Sequence, residues 1–242
     1  MLRVLKKITQ NKEMKNLSKI KKANLLGRGG ACFPTALKWD MVKKTKSEDK
    51  YVVCNASEGE PGVKKDKYLF EHHAEEVVGG MKLAIDFLGA KKAYIYLNPK
   101  YYTKFKPKLE KLCEGYPFEI FKKAHTAGYI GGEETSALNH LEGKKVEPRL
   151  KPPYPPINGL FNKPTLINNV ETFYDVYLIE NDKYEGRRFV TINGDCHERG
   201  IYSVDENKTI EEILKDTDNY PDFNFFVQIG GDASGSVLNF EQ

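Results

Sequence analysis

The segment from Gly27 to Gly30 has the composition of an anion-binding loop. Three of its four residues are glycine, the other is Arg28, and a stretch of helical spacing (residues 35–44) follows closely. Glycine leaves backbone N–H groups accessible, and the N-terminus of a following helix, which Thr35 can cap, favours negative charge. A phosphate therefore suits this loop, although a tight turn before a surface helix is the common alternative.

Two later segments carry polar side chains that can also face a ligand. Asn55, Glu58 and Glu60 lie in the loop NASEGEPG, and Glu133 and Glu134 follow the glycine-rich turn HTAGYIGG. Taken alone, Glu133 and Glu134 indicate acidic residues in the first turn of a helix, where the helix dipole stabilises them. These two segments can contribute to a binding site only if the fold places them close to the glycine loop at residues 27–30.

The elements around these loops predict an α/β fold. Apolar runs at residues 50–55 and 91–98 are typical of buried strands, residues 118–124 are a third candidate strand, and residues 72–90 have the spacing of a helix. Strand, helix and strand form a βαβ unit, and sheets of this kind bind ligands at the carboxyl ends of their strands. The acidic loop NASEGEPG lies at such an end.

The next part of the chain is less regular. Residues 147–165 hold six prolines, which predicts an irregular wrapping segment. The stretch 166–180 predicts a helix capped by Asn168 or Asn169, and capping alone is a sufficient role for Asn168.

The character of the chain changes near residue 186. Alternating residues around Asn193–Gly194 are a strong signal for a hairpin, and a helix is predicted over residues 209–215. A further strand and a Gly/Ser loop follow. We therefore predict three parts, a basic N-terminal arm, a Rossmann-like domain and a small β-grasp-like module, over residues 1–24, 25–186 and 187–242.

Composition and charge predict a globular cytoplasmic protein. The chain has 242 residues, 30% charged and 40% hydrophobic, with a net charge of +4. It has no apolar run long enough to span a bilayer and no secretory signal at its N-terminus. The arm is rich in lysine, which suits nucleic acid or an acidic membrane, but a solvated helix is the preferred interpretation because no nucleic-acid module accompanies it.

The cysteines and histidines do not predict a metal site. The four cysteines form no C-x-x-C pair, and the five histidines show no ligand spacing. A zinc or iron–sulfur site held by this chain alone is therefore not expected. Reduced thiols are the default for a cytoplasmic protein, and Cys54 is expected in the core.

Five segments in one order resemble a known family. The segments GRGGACFPTALKW, NASEGEPGVKKDKYL, AGYIGGEETSALNHLEG, EPRLKPPYPPINGLFNKPT and INNVETF closely resemble the NADH-oxidising flavoprotein subunit of respiratory complex I. The same domain occurs in NAD-reducing hydrogenases and NAD-dependent formate dehydrogenases. The resemblance runs from about Leu25 to the end of the chain, and the tail is similar to the family's soluble-ligand-binding β-grasp (SLBB) module.

The resemblance implies an FMN-binding domain in which NADH stacks on the flavin and passes a hydride to it. Contacts with FMN are assigned to Gly27, Arg28, Gly29, Gly30, Lys38, Asn55, Ser57, Glu58, Asn168, Asn169 and Thr172. Contacts with the dinucleotide are assigned to Phe33, Glu60, Tyr129, Glu133, Glu134, Lys151 and Tyr154, and Gly132 also belongs to the cofactor-binding set. Phe33 can instead be an anchor of the core. No general base is assigned, because the hydride moves between cofactors.

The carboxylates near the ribose bear on the choice of dinucleotide. Acidic residues accept hydrogen bonds from ribose hydroxyls and disfavour a 2′-phosphate, which favours NAD over NADP.

This chain departs from the family pattern at several positions. Ser57 stands where the family usually has Asp, Cys32 where it has Gly, Gly131 where it has Cys, and Met41 where an aromatic residue is common. The family normally continues into a helical domain whose four cysteines hold a 4Fe-4S cluster, whereas this chain ends at Gln242. Electrons are therefore expected to leave through a soluble acceptor or another chain, such as a thioredoxin-like 2Fe-2S subunit or a 4Fe-4S protein.

Three functions remain open from the sequence. The first is an NADH-oxidising FMN subunit of a larger redox complex, which reaches a membrane only through that complex. The second is an FMN-binding subunit that ferredoxin or flavodoxin feeds, without productive NADH oxidation. The third is a structural subunit that keeps the fold alone. Flavin absorbance separates the third function from the others, and its bleaching by NADH separates the first from the second.

Overall fold

An open parallel sheet lies at the centre of the computed structural model, which describes residues 17–231, 233 and 235–239. Four strands pair in the order β3-β2-β1-β4, and all run parallel. Strands β1 to β4 span Tyr51–Ala56, Lys92–Leu97, Phe118–Lys122 and Thr165–Asn169. The predicted α/β class with a Rossmann-like sheet is therefore confirmed.

Helices pack on both faces of this sheet. Beyond the helical residues 17–22, helices α1 to α7 span Thr35–Lys44, Lys65–His72, Ala74–Leu88, Pro99–Cys113, Glu134–Leu141, Val170–Glu180 and Ile210–Asp216. Short 3-10 helices cover His125–Ala127, Ile130–Gly132 and Leu160–Asn162. Helices α1 to α4 and α6 pack on one face, whereas α5 packs on the other.

The alternation of strand side chains builds a core on each face. Val52 and Cys54 belong to the larger core, while Tyr51 and Val53 belong to the smaller core beneath α5. Successive side chains of a strand point to opposite faces, so a strand buried on both sides needs a continuous apolar run. Cys54 is fully buried, which confirms its predicted place in the core.

Gly80 permits a close contact between α3 and α6. A Cβ atom at this position would lie 1.9 Å from the carbonyl oxygen of Phe173, a distance at which no side chain fits. The glycine therefore sets how closely α6 approaches α3. Because α6 begins directly after β4, this contact also helps to fix the position of the end of β4 relative to α3.

Two predicted elements differ from the structure. Residues 166–180 do not form one helix, because Leu166 and Ile167 lie in β4 and complete the sheet beside β1. Helix α6 begins only at Val170, with Asn169 as its cap. Thr35 is not a cap either. It is the first residue of α1, and its buried hydroxyl has no hydrogen-bond partner within the described part of the chain.

The residues after 186 form two antiparallel pairs and one helix. Strands β5 (Arg187–Ile192) and β6 (Gly200–Asp205) confirm the predicted hairpin, but residues 193–199 connect them instead of a two-residue turn. Strands β7 (Phe226–Ile229) and β8 (Ser236–Asn239) form the second pair. The pairs are separate sheets in the described residues, so the β-grasp module and the boundary at 186 stay predictions. Most of the predicted basic arm (residues 1–16) lies outside the described residues.

Candidate functional site

The loops of the candidate site meet at the carboxyl ends of β1 and β4. Strand β2 pairs on one side of β1 and β4 pairs on the other, so β1 and β4 lie where the strand order changes direction. In open α/β sheets, ligands bind in the crevice outside the carboxyl ends of the strands at such a point. Asn55 and Ser57 lie at the end of β1, and Asn168 and Asn169 lie at the end of β4.

A cavity of about 1830 Å³ opens over this crevice, and every residue predicted for the site lines it. It exceeds the roughly 300–1,000 Å³ of a typical small-molecule pocket. The residues that line it are Gly27, Arg28, Gly29, Gly30, Phe33, Lys38, Asn55, Ser57, Glu58, Glu60, Tyr129, Gly132, Glu133, Glu134, Lys151, Tyr154, Asn168, Asn169 and Thr172. The fold thus brings the separate loops together, while their contacts with a cofactor stay predictions.

The glycine loop presents backbone donors to the cavity. Among the described residues, no acceptor pairs with the backbone N–H groups of Gly29, Gly30 or Ala31. Gly30 has a φ angle of +109°, which residues with a side chain rarely adopt, and Gly29 backs onto the side chain of Asn169. Consecutive N–H groups in such a turn form a concave site for an anion.

The Arg28 side chain fastens this loop to the rest of the protein. Its guanidinium donates to Asp175 (Nε to Oδ2, 3.0 Å) and to Glu206 (Nη2 to Oε2, 2.6 Å). Its backbone N–H donates to the hydroxyl of buried Thr172 at 2.9 Å. Burial lowers the pKa of Arg28, but Asp175 and Glu206 raise it more, so the guanidinium stays charged. The carboxylates of Asp175 and Glu206 balance this charge, and the Arg28 side chain links the glycine loop to α6 and to the residue that follows β6.

Glu58 joins the acidic loop to α2. Its carboxylate accepts hydrogen bonds from the backbone N–H of Asp66 (2.6 Å) and from the hydroxyl of Tyr101 (2.8 Å). Burial and the nearby carboxylate of Asp66 raise the pKa of Glu58 to about 7. Its carboxylate therefore holds the loop against the start of α2.

Glu133 and Glu134 form an ion cluster with two lysines at the start of α5. Glu133 caps the helix by accepting from the backbone N–H of Ser136 at 2.8 Å. Lys151 Nζ donates to Glu133 (2.8 Å) and Glu134 (3.2 Å), and Lys38 Nζ lies 4.0 Å from Glu134. Burial raises the pKa of Glu133, but the bonds from Lys151 and the first turn outweigh it and lower the pKa overall.

Asn169 and Lys65 form a network beneath the cavity. Lys65 Nζ donates to Asn169 Oδ1 (2.7 Å) and to Asp66 Oδ1 (2.8 Å), and lies 3.2 Å from Glu171. Asn169 Nδ2 donates to the other carboxylate oxygen of Asp66 at 2.9 Å. The amide of Asn169 is thus fixed in orientation by charged partners at both ends.

Three aromatic side chains line the cavity from three different segments. Phe33, Tyr129 and Tyr154 are 39%, 50% and 51% exposed. The exposure of Phe33 excludes the alternative that it anchors the core. Tyr129 also donates its hydroxyl to Glu60, which the backbone N–H of Ala233 contacts at 3.0 Å. Exposed rings in a cavity offer flat faces on which a planar ligand can stack.

The structure shows the surroundings of three residues that depart from the family pattern, Cys32, Gly131 and Met41. Cys32 has a φ angle of +50°, a left-handed conformation that suits the glycine usual at this position. A Cβ atom on Gly131 would lie 2.8 Å from Ala127 Cβ and 3.0 Å from Lys123 Cε. Neighbouring atoms therefore fill the space of the cysteine that the family usually has there. Met41, which stands where an aromatic residue is common in the family, lines the cavity.

Sequence reasoning missed part of the site. Lys65 and Asp66 line the cavity, and so do Arg188, Asn193 and Lys208 from the region after residue 186. A buried charge cannot be distinguished from a solvated one without its partners, and two partners of Lys65, Asn169 and Glu171, lie about a hundred positions further along the chain. The acidic residue in the first turn of α2, Asp66, was the available signal.

Metal-binding and membrane-spanning features are absent from the residues that the structure describes. These residues hold no group of three or more His, Cys, Asp or Glu side chains that could bind a metal ion. Within the same part of the chain, no helix combines the length and apolar character needed to cross a membrane.

Known proteins resemble this chain in sequence and in fold. An NADH-quinone oxidoreductase subunit of Rhizobium meliloti (strain 1021) is 33% identical over 222 residues, covering 81% of this chain and 53% of its own length. The NAD-reducing hydrogenase HoxS subunit alpha of Cupriavidus necator is 37% identical over 218 residues, covering 79% of this chain and 36% of its own length. This chain thus spans about half of the first relative and about a third of the second.

A solved structure agrees with these sequence relatives. The crystal structure of an NAD+-reducing NiFe hydrogenase in the air-oxidized state matches with a TM-score of 0.85 and 32% identity, over 94% of this chain and 42% of that chain. The family model for the Nuo51 FMN-binding domain matches residues 20–178, well over half of the chain. The motifs of the glycine loop, the acidic loop and α5 all lie within this match. The family predicted from those motifs is confirmed, and the chain belongs to the Nuo51 FMN-binding domain family.

Proposed function

We propose that this chain is an NADH-oxidising flavoprotein subunit of the NADH dehydrogenase type. In this proposal it binds FMN and NAD in the cavity and passes electrons to a partner carrier. The observation that supports it most strongly is that loops from distant parts of the chain line a single cavity at the carboxyl ends of β1 and β4. Membership of the FMN-binding family supports the same proposal.

The residues of the cavity fit FMN. The unpaired N–H groups of Gly29, Gly30 and Ala31 suit its phosphate, which carries negative charge and needs several donors. The polar side chains at the strand ends suit the heteroatoms of the flavin ring, and Asn55 is already oriented, since its Nδ2 donates to the carbonyl of Gly132 at 2.8 Å. Bound FMN supplies a two-electron acceptor, which takes a hydride from NADH and leaves NAD+.

The protein's own residues position the rings and set the charge around them. Phe33, Tyr129 and Tyr154 provide faces for the planar parts of a dinucleotide. In the cluster of Glu133, Glu134 and Lys151, the carboxylate of Glu134 offers an acceptor for ribose hydroxyls, including the 2′-hydroxyl that only NAD presents. NAD is therefore the proposed dinucleotide. The choice is testable, because the NADP-reducing hydrogenase subunit HndC of Solidesulfovibrio fructosivorans is also 31% identical to this chain.

The domain boundaries and the partner belong to the same proposal. Residues 25–186 form the FMN and NADH domain, and residues 187–242 form a β-grasp module that closes one wall of the cavity. Hydrogen bonds support this arrangement, since Phe189 N–H donates to Glu171 at 2.7 Å and Arg28 reaches Glu206. Electrons then pass to an iron–sulfur subunit, either a thioredoxin-like 2Fe-2S protein or a 4Fe-4S protein, in the cytoplasm. The chain reaches a membrane only through that complex.

An anaerobic titration tests the proposal. The purified chain is loaded with FMN and titrated with NADH or NADPH while the visible flavin band is recorded. We expect stoichiometric bleaching by NADH and none by NADPH. Failure of the chain to take up FMN contradicts the proposal, and FMN uptake without bleaching by NADH favours the ferredoxin-fed or flavodoxin-fed alternative.

A pair of lysine variants sharpens the test. Lys151→Met removes the cation that orders Glu133 and Glu134, so half-saturation should require more NADH while FMN remains bound. Lys145→Met is the matched control, because its ion pair with Glu147 lies on the surface and contacts no residue of the cavity. If both variants reach half-saturation at the same NADH concentration, Lys151 does not contribute to the proposed binding site.

A further inference from the structure

Lys123 is a buried lysine that pairs with no acid. It follows β3, is 5% exposed, and its Nζ donates to Ser57 Oγ at 2.8 Å. No carboxylate of the described residues forms an ion pair with it. Lys65, a partly buried lysine of the site, contacts two carboxylates. An unpaired buried cation is costly, so its presence needs an explanation beyond stability.

Ser57 connects this lysine to the cavity. Ser57 lines the cavity floor, where a Cβ atom on Gly132 would lie 3.0 Å from its hydroxyl oxygen. Because Lys123 donates to that oxygen, the hydroxyl hydrogen of Ser57 must point towards a different acceptor. A hydroxyl polarised by an ammonium group is a stronger donor than an isolated one.

Two departures from the family pattern lie against Lys123. Ser57 replaces the usual aspartate, which would pair with the lysine and cancel its charge. Gly131 replaces the usual cysteine, and a Cβ atom there would lie 3.0 Å from Lys123 Cε. The small residue at each position therefore leaves the lysine room to lie against Ser57 without a counter-charge.

Tyr96 and His140, two ionisable groups near Lys123 in the described part of the chain, carry no negative charge. Tyr96 of β2 hydrogen-bonds to His140 of α5 through its hydroxyl, 2.7 Å from Nδ1. Burial, and then the charge of Lys123, lower the pKa of His140, so this ring stays neutral. Burial also lowers the pKa of Lys123 itself. Any negative charge that balances the lysine must therefore come from the cavity.

We propose that Lys123 is a positioning residue that acts through Ser57 to favour negative charge on a ligand at the cavity floor. This inference rests on the proposed function, in which that ligand is FMN. Reduction by two electrons adds negative charge to the flavin system, and a nearby cation stabilises the reduced state more than the oxidised state. Lys123 thus raises the reduction potential of the bound flavin.

The test compares midpoint potentials of FMN-loaded variants by anaerobic spectroelectrochemistry. Lys123→Met removes the charge and keeps the length of the side chain. We expect the variant to bind reduced FMN about tenfold more weakly relative to oxidised FMN, which lowers the midpoint by about 30 mV for a two-electron couple. Ser57→Asp should lower it in the same direction, because the new carboxylate pairs with Lys123. Lys122→Met is the control, since Lys122 is exposed and lies beside the ring of Tyr102.

The possible outcomes are distinct. Equal potentials in the wild type, Lys123→Met and Ser57→Asp, with FMN bound in all three, would overturn the role of Lys123 and leave the proposed function standing. A wild-type chain that takes up no FMN would overturn both. If Lys123→Met fails to fold, Ser57→Asp decides the question alone, because it keeps the buried lysine and supplies it with a partner.

Discussion

Replacement of Lys65 by methionine is expected to destabilise the protein strongly. Lys65 Nζ lies 2.8 Å from Asp66 and 3.2 Å from Glu171, and the side chains of these acids are only 3% and 2% exposed. Methionine would leave two buried carboxylates without their cation and would remove one hydrogen bond to the amide oxygen of Asn169. Removal of one partner from a buried ion pair costs about 3–5 kcal/mol.

The loss can be measured by thermal unfolding. For a chain of this size, 1 kcal/mol changes Tm by about 2–4 °C, so the expected decrease is roughly 6–20 °C at neutral pH. Lys44→Met is the control, because Lys44 forms an exposed i,i+4 pair with Asp40 that contributes little. The double variant Lys65→Met, Glu171→Gln should recover part of the loss, since it removes one of the two unpaired charges.

A Tm of Lys65→Met equal to that of Lys44→Met would refute the assignment of Lys65 as the cation that balances this network.

Two other outcomes follow from the packing and from the acidic cluster. Gly80→Ala should destabilise by about 1–3 kcal/mol or more in urea unfolding, because the new Cβ would lie 1.9 Å from Phe173 O; an unchanged midpoint would mean that α3 and α6 can separate freely. The pKa of Glu133 is lowered from its ordinary 4.5, so its contribution is present above that pH and is lost as the pH falls through the lowered value. The fall in Tm below about pH 4.5 should therefore be less steep for Glu133→Gln than for the wild type, and a profile parallel to the wild type would contradict this reasoning.

The sequence predicted the loops of the site better than the elements behind them. Glycine, proline and the order of polar motifs are local signals, so the glycine loop, the acidic loop and the turn before α5 were found where the structure has them. Strand β4 was missed, because Leu166 and Ile167 precede a helical pattern without a break and only pairing with β1 makes them a strand. Long-range pairing of this kind leaves no local trace.

The side-chain partners could not be read from the sequence for the same reason. Glu58 was predicted to contact the flavin region, and its carboxylate in fact bonds to α2 and to Tyr101. Lys123 was not selected at all, because a lysine at the end of a strand is usually solvated. Its burial depends on Gly131 and Ser57, which were noticed only as departures from a family pattern.

The residues of the site divide into those that face the cavity and those that hold the loops in place. Arg28, Glu58, Glu133 and Asn169 direct their charged or amide groups into hydrogen bonds with the protein, and each joins a loop to a helix or strand. The donors left to a ligand include backbone N–H groups of the glycine loop, and the hydroxyl of Ser57 lies at the cavity floor in a buried position. A ligand that fills the cavity then contacts loops already fixed by these bonds, and so loses little binding free energy to ordering them. It follows that substitutions in the holding group should lower stability and FMN affinity together, whereas those at Ser57 or Lys123 should change mainly the properties of bound FMN.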